Sequence, residues 1–523
     1  MKQMTTISTN NKRIAKNTFA LYFRQILVML VSLYTVRIVL DTLGVEDYGL
    51  YTVVAGVVTM FSFLSGVMAT ASQRYFSFEL GRGNLEQLKK IFNLTILIYA
   101  LISILILLLS ETIGLWFVSN KLVIPLGRES SAMWVYQFAV ISFLFTIMTT
   151  PYMAMIIARE DMKIYAYMSI VDVSLRLGIV FLLRLISWDK LQLYGLLILA
   201  VTVITTSIYR TICLRKYKEC KFSFFWDKKL FKEITSYSGW HLFGNIAYIC
   251  KNQLINILLN QFFGPAIIAA RGIATSVSQA ITSFSQNFST AIRPQIIKNY
   301  AANQKEAMLQ LMFRGAKITY LLMYLFVLPL ILEMSLILKL WLTTPPEYVV
   351  IFTQLVLLTA LAESIAYPIM TAVQAIGKVK MYQLTIGIVS ILLNLPVSWM
   401  ILRMGAPPYS VAIVGLIATF ILVIIRLFLL RRLMDYSIRS FIKIVLIPVC
   451  IISILSAILP VIVYYNLEQG IFRLCIVTIL SIISIAVCSY FIGLNKEERQ
   501  KTREVIVKYF HSKKKGLNFK KEV

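Results

Sequence analysis

Residues 237–293 read YSGWHLFGNIAYICKNQLINILLNQFFGPAIIAARGIATSVSQAITSFSQNFSTAIR, and this stretch decides the fold. It is long enough for two membrane-crossing helices of about 20 residues each, meeting near Pro265, yet both carry too much polarity to face lipid on all sides. At about 100° per residue, the second segment sorts into two faces. Ile273, Val277, Ala280, Ile281, Phe284, Phe288 and Ile292 share one arc, while Arg271, Thr275, Gln279, Thr282, Gln286, Ser289 and Arg293 fall on the other. In the first segment His241, Asn245, Tyr248, Asn252 and Asn256 stack along one side, with Lys251 near the middle of the span. An ammonium group there costs roughly 2.5 kcal/mol or more unless it faces a cavity or a counter-charge. Two readings follow: a wet, cationic cavity lined by amides and hydroxyls, or hydrogen bonding between neighbouring helices, which Asn and Ser commonly supply. A continuous stripe with Arg at both ends favours the cavity.

Working outward, the 523 residues are 59% hydrophobic and 15% charged, too apolar for a soluble protein of this size. The chain reads as an all-α polytopic membrane protein. Its formal charge of +28 (52 Lys and Arg against 24 Asp and Glu) sits mostly in the loops, where membrane orientation explains it better than nucleic-acid binding. Cys213, Cys220, Cys250, Cys450, Cys475 and Cys488 show no CxxC spacing, and two histidines add little towards a metal site, so the cysteines read as packing residues. Residues 1–16 are polar and the first apolar span lacks a small-residue cleavage site, so no removable signal peptide is expected.

About fourteen spans are expected, beginning near Lys16, Asp47, Lys90, Ala132, Ile164, Leu191, Tyr237, Pro265, Ala316, Glu347, Met381, Tyr409, Ile438 and Gly470. Connections alternate between base-poor (Asp41 to Asp47, Phe262 to Ala266) and base-rich (Arg210 to Lys232, Arg293 to Lys317, Arg426 to Lys443), which places both termini in the cytoplasm. Lys121 and Arg128 on one outer loop are the exception. The chain also repeats itself. Pro151, Met153, Ala158, Lys163 and Tyr165 recur as Pro368, Met370, Ala375, Lys380 and Tyr382, an offset of 368 − 151 = 217, and Gly44 lines up with Gly264. Two six-helix lobes are therefore expected, 1–214 and 237–437, with two additional C-terminal spans at 438–493. Residues 215–236 mix bases with Phe222, Phe224, Phe225, Trp226 and Phe231 and suit a helix on the inner membrane surface, or a plain linker. The basic tail 494–523 suits anionic headgroups.

No GxxxxGK[ST] loop occurs, and no paired-carboxylate, Ser/His/Asp or metal-spaced cluster supports an enzyme. Transport remains, with no cofactor beyond a coupling proton or sodium ion. Arg24 sits about 12 Å into the first span at 1.5 Å per residue, Lys251 at mid-depth and Arg271 in the outer part of its span. Cations at three depths suit an anion, and Asn245, Asn252, Gln279, Thr282 and Gln286 suit sugar hydroxyls. Arg37 and Arg176 read as i,i+4 partners of Asp41 and Asp172, while Arg184 and Arg426 read as snorkelling residues at span ends. Glu363 and Asp172 are the acids read as lying well inside the bilayer, as coupling groups or as neutralisers of a nearby cation.

The run Leu43-Gly44-Val45-Glu46-Asp47-Tyr48-Gly49-Leu50-Tyr51, the Gly/Ser/Ala-rich span after it and Gln73-Arg74-Tyr75 resemble the first hairpin of polysaccharide exporters in the MOP superfamily. The nearest resemblance is to Wzx-type flippases of O-antigen and capsule repeat units. It implies a MATE-like pair of six-helix lobes around a central cavity, alternating access, and an undecaprenyl-diphosphate-linked oligosaccharide as substrate. It also implies a bacterial inner membrane and, as partners, membrane lipids, a polysaccharide polymerase and glycosyltransferases. By span and depth, Arg24, Lys251 and Arg271 fall where such proteins carry cavity cations. A cation/drug antiporter of the same fold, a lipid II-type flippase and a non-transporting scaffold are the competing readings.

Overall fold

A computed structural model describes residues 2–59, 62–122, 124, 127–342, 345–494 and 499–500. Side chains before Asn17, and a few later ones including that of Arg37, lie outside the described set, so the Arg37–Asp41 pairing falls outside it too. So do almost all residues of the basic tail.

Among the described residues there is no strand. The helices are α1 (Lys2–Thr59), α2 (Ser62–Arg82), α3 (Leu85–Asn120), α4 (Glu129–Ala158), α5 (Met162–Leu185), α6 (Lys190–Lys216) and α7 (Lys228–Phe263). They continue as α8 (Pro265–Ala301), α9 (Lys305–Trp341), α10 (Val349–Ile376), α11 (Val379–Arg403), α12 (Ser410–Leu433), α13 (Ile438–Asn466) and α14 (Ile471–Gly493). Ten of these are long and apolar enough to cross a membrane. The remainder are α1, α2, α7 and α8, of which α7 and α8 are the spans whose polarity the sequence marks. Hydrocarbon offers a backbone no partner, so each span must close its hydrogen bonds within itself.

Left-handed residues punctuate the helices. Gly44 (φ 80°) breaks α1 into two spans, and Gly264 (φ 80°) separates α7 from α8. Such angles cost a residue with a Cβ roughly 1–2 kcal/mol. The repeat seen in the sequence extends to this geometry. Positive φ recurs at Gly44 and Gly264 (264 − 44 = 220), Gly83 and Asn303 (303 − 83 = 220), Gly127 and Tyr348 (348 − 127 = 221), and Glu160 and Gly377 (377 − 160 = 217). Both halves of the chain therefore turn at matched places, which supports descent from one duplicated unit.

Two compact units are distinguishable. The first comprises 1–252 with 286–311 and 370–391; the second comprises 253–285, 312–369 and 392–523. Within the first, Val39, Val54 and Val58 of α1 pack with Val118 of α3 and Ala132, Val135, Tyr136 and Val140 of α4. Gly81 lets α2 lie against α8, since a Cβ there would stand 2.6 Å from the Lys298 carbonyl. Within the second, Ala270, Ala274 and Ile281 of α8 pack with Met323 and Val327 of α9 and Phe352 and Leu357 of α10. Small residues bring helices close where no hydrophobic force separates protein from lipid.

Between α6 and α7 the chain makes one short turn at Lys218–Cys220 and then runs without helix from 221 to 227. The surface helix expected over 215–236 is thus a strap, and α7 takes over from Lys228. Ser223 exchanges two hydrogen bonds with the Asn93 amide (3.0 and 3.1 Å), and Lys216 pairs with Asp161 at 3.0 Å. Satisfying the backbone through side chains removes the need for a helix.

Arg128 is also explained. Its guanidinium clasps Asp47 at 2.8 Å and Asp189 at 2.6 Å, joining the segment after the break in α1 to the starts of α4 and α6. Burial acts to raise the Asp189 carboxyl, but the backbone N–H groups of Gln192 and Leu191, the Ser131 hydroxyl and Arg128 outweigh it and hold the carboxyl below its usual value. Asp189 caps α6 through these N–H groups (3.0 and 3.1 Å). Asp189→Ala is expected to cost about 1–2 kcal/mol at neutral pH. Because the folded-state pKa is depressed, this contribution is present above the ordinary carboxylate value of about 3.9 and is lost as pH falls through the lower one. Thermal melts of both proteins should therefore differ at pH 7 and converge in acid.

Candidate functional site

Hydroxyls on α7 and α8 look first to their own helix. Thr275 donates to the Gly272 carbonyl (2.8 Å), Thr282 to Ser278 (2.7 Å), Ser283 to Ala280 (2.6 Å) and Thr290 to Gln286 (2.9 Å). Such back-bonding satisfies Ser and Thr without water. The unmet polar demand of the α8 stripe thus falls mainly on its amides and guanidinia, with the Ser289 hydroxyl beside them. Gln279 and Gln286 are exposed, as is Asn245 on α7. Asn252 donates to the Tyr248 carbonyl at 3.1 Å.

In the first unit, Arg24 on α1 is positioned by amide oxygens. Its Nη2 donates to Asn287 Oδ1 on α8 at 3.3 Å and to Gln25 Oε1 at 3.2 Å, and its carbon lies 4.8 Å over the Tyr165 ring on α5. Its buried Nε has no hydrogen-bond partner. Asn287 in turn donates to Gln25 Oε1 at 3.5 Å. A guanidinium oriented by neutral acceptors keeps its whole charge available to an incoming anion. Lys251 also belongs to this unit, with its ammonium 5.1 Å over the Tyr248 ring.

In the second unit, Arg271 on α8 donates to Asn256 Oδ1 on α7. Here both readings of the polar stripe meet: the amide joins two helices and at the same time aims a cation. Gln279 and Thr282 share this unit, while Asn245, Asn252 and Gln286 belong to the first.

The acids are matched to bases. Asp172 accepts from Arg176 at 2.9 Å, the expected i,i+4 pair. Glu363 on α10 lies 3.7 Å from Arg426 on α12, whose side chain is only 11% exposed. Arg426 is therefore an intramembrane partner and not a snorkelling residue. Arg184, more than half exposed, lies 3.8 Å from Asp41. One further intramembrane acid goes unmarked in the sequence reading. Glu333 on α9, fully enclosed, receives Arg473 of α14 through two hydrogen bonds of 2.7 and 3.0 Å. Arg473 also donates to the carbonyls of Tyr464 and Leu467 at the end of α13. The available signal was Glu333 alone in an apolar run, four residues after Pro329. Cys213 and Cys220 are buried as packing residues should be, whereas Cys250, Cys450 and Cys475 are exposed.

Comparison with known proteins bears on this arrangement. Residues 14–300 match the family model described as polysaccharide biosynthesis protein, and residues 241–400 match that described as MatE. A search of curated protein sequences gave no match. Among solved structures, an outward-facing multidrug resistance MATE family transporter of the MOP superfamily superimposes with a TM-score of 0.69 at 12% identity, covering 82% of this chain and 97% of that one. The Vibrio cholerae MATE transporter VcmN in its bent form gives 0.63 at 17% identity over 83% and 99%. A MOP superfamily transporter from Pyrococcus furiosus gives 0.64 at 12% identity over 80% and 96%. The fold is MATE-like, that of a multi-pass membrane protein. Since the first match spans more than half of its residues, the chain belongs to the polysaccharide biosynthesis protein family.

Removing one member of a buried ion pair strands the other charge, at about 3–5 kcal/mol. Glu333→Gln is accordingly expected to reduce detergent-solubilised stability sharply, and Glu333→Leu combined with Arg473→Met to recover most of the loss. Melting temperatures of the two variants and the wild type check this.

Proposed function

We infer that this protein turns a lipid-linked oligosaccharide, carried on undecaprenyl diphosphate, from the cytoplasmic to the outer leaflet of a bacterial inner membrane by alternating access. The observation that carries the reading is Arg24, a cation inside the span held by Asn287, Gln25 and the Tyr165 face instead of by a carboxylate. Arg271, aimed by Asn256, and Lys251 supply cations at other depths. A diphosphate takes charge-assisted hydrogen bonds from such groups, and the exposed amides of Asn245, Gln279 and Gln286 offer donors and acceptors to sugar hydroxyls. Thr282 and Asn252, bonded to their own helices, contribute an oxygen and an amide edge. The polyprenyl tail stays in lipid.

Membership of the polysaccharide biosynthesis family supports this reading. An inside-negative potential favours outward movement of two negative charges by about 4–5 kcal/mol per 100 mV, so proton or sodium coupling through Glu363 or Asp172 is an addition and not a requirement. A cation/drug antiporter would use an uncompensated acid as its binding charge, whereas Glu363 and Asp172 each have an arginine. A polymerase and glycosyltransferases are the partners this reading implies.

The test is substitution of Arg24, Lys251 and Arg271 together by Gln in a deletion strain. Surface polysaccharide is expected to disappear while the protein still reaches the membrane at normal abundance; normal polysaccharide would overturn the reading. Glu363→Gln is expected to leave drug sensitivity unchanged, and increased sensitivity would favour the antiporter.

A further inference from the structure

Within the first unit, five helices bring a second group of polar side chains together, none of which belongs to the site above. Arg293 Nη1 on α8 donates to Gln73 Oε1 on α2 at 3.2 Å. Arg74 on α2 lies 5.4 Å from the Tyr237 ring on α7 and donates to the carbonyls of Gln374 (3.1 Å) and Ala375 (3.4 Å) at the end of α10. His241 on α7 stacks near Tyr237 (4.9 Å) and shares a 3.0 Å hydrogen bond with Gln383 on α11. Gly377 leaves the room Arg74 occupies, since a Cβ there would stand 2.6 Å from its Nη2.

The group is short of partners, and every orphaned atom but Gln374 Oε1 is able to donate. Buried atoms without a hydrogen-bond partner include Gln73 Nε2, Ser77 Oγ, Tyr237 OH, His241 Nε2, Ser289 Oγ, Arg293 Nε and both terminal atoms of Gln374. Gln73, Ser77, Tyr237, His241, Ser289 and Gln374 are all more than nine-tenths buried. Among the described ion pairs, neither Arg74 nor Arg293 has a carboxylate within 4.0 Å; of the nearby acids, Glu79 lies 4.0 Å from Arg82 and Glu233 accepts from Tyr75 at 3.2 Å. An orphaned buried donor is destabilising until a partner reaches it. Such a concentration in one place needs a partner rich in acceptor oxygens, and two guanidinia set its sign.

We propose that Arg74 and Arg293, with Gln73, Gln374, Tyr237 and His241, form a second anion site that receives the diphosphate of the lipid carrier at the end of the first unit where α2, α7, α8, α10 and α11 converge. Phosphate oxygens accept from the orphaned donors, and Arg74 exchanges the carbonyls of Gln374 and Ala375 for phosphate. Binding there loosens the hold of α2 on the turn after α10. The inference rests on the transport reading for the identity of its ligand.

The full-length protein in lipid nanodiscs is titrated with geranylgeranyl diphosphate and, separately, with inorganic pyrophosphate. Wild type is expected to bind the prenyl diphosphate saturably, and Arg74→Gln with Arg293→Gln to weaken it by tenfold or more, since a charge-assisted hydrogen bond is worth about one decade of affinity or more. Gln374→Met is the deciding variant should the arginine variants fail to fold. It removes two orphaned atoms from a buried site at nearly constant volume, so it is expected to raise the melting temperature of the unliganded protein while weakening the probe. Unchanged binding in folded Arg74/Arg293 variants, or unchanged binding in Gln374→Met, overturns the proposal. Equal affinity for pyrophosphate and the prenyl compound also overturns it, by assigning the site to a free anion. Surface polysaccharide separates the two readings. Export that survives only the Arg74/Arg293 change sinks this site alone, whereas export that survives the triple Arg24, Lys251 and Arg271 change sinks the transport reading.

Discussion

Hydrocarbon supplies no hydrogen-bond partners, and that constraint shapes nearly every polar contact in this protein. Hydroxyls turn back on their own helices, as Thr282 and Thr275 do. Acids take arginines, as Glu333 and Glu363 do. What remains includes Arg24, a cation oriented by the neutral amides of Asn287 and Gln25 and left with charge to spare. The functional reading follows from that remainder and not from the number of polar residues in the spans, most of which are satisfied internally.

The same constraint explains the duplicated turns. A helix crossing a membrane must end abruptly once it reaches water, and a left-handed residue ends it in one step. Four matched pairs of such residues mark both halves. At Glu160 the position is filled by a residue with a Cβ, whose carboxylate pays for the strain by holding Lys298 and Gln295 at 2.6 Å each. Its counterpart Gly377 instead leaves space for Arg74. One ancestral turn has thus diverged into an ion-pair anchor and a clearance.

Much of the fold was legible in the sequence because hydropathy and glycine report local physics. Span boundaries, the break at Gly44 and its echo at Gly264 depend on residues close along the chain. The pairing of functional side chains does not. Arg24 meets Asn287 across 263 positions, and no periodicity in either helix announces it. Arg426 read as a span-end cation because Arg431 and Arg432 follow within two turns, and Glu333 passed unnoticed because Arg473 lies 140 positions away. At residues 215–236 the composition suited a surface helix, but tethering of Ser223 to Asn93 favoured extended chain.

Arg473 holds three things with one side chain: the Glu333 carboxylate of α9 and two carbonyls that finish α13. The last hairpin is therefore riveted to an earlier helix through a charge that lipid would not tolerate alone. A shortened relative with twelve spans could arise only by losing the acid first or together with the hairpin. Genetic trimming from the C-terminus meets an electrostatic ratchet, and the two final helices persist whether or not the passenger ever touches them.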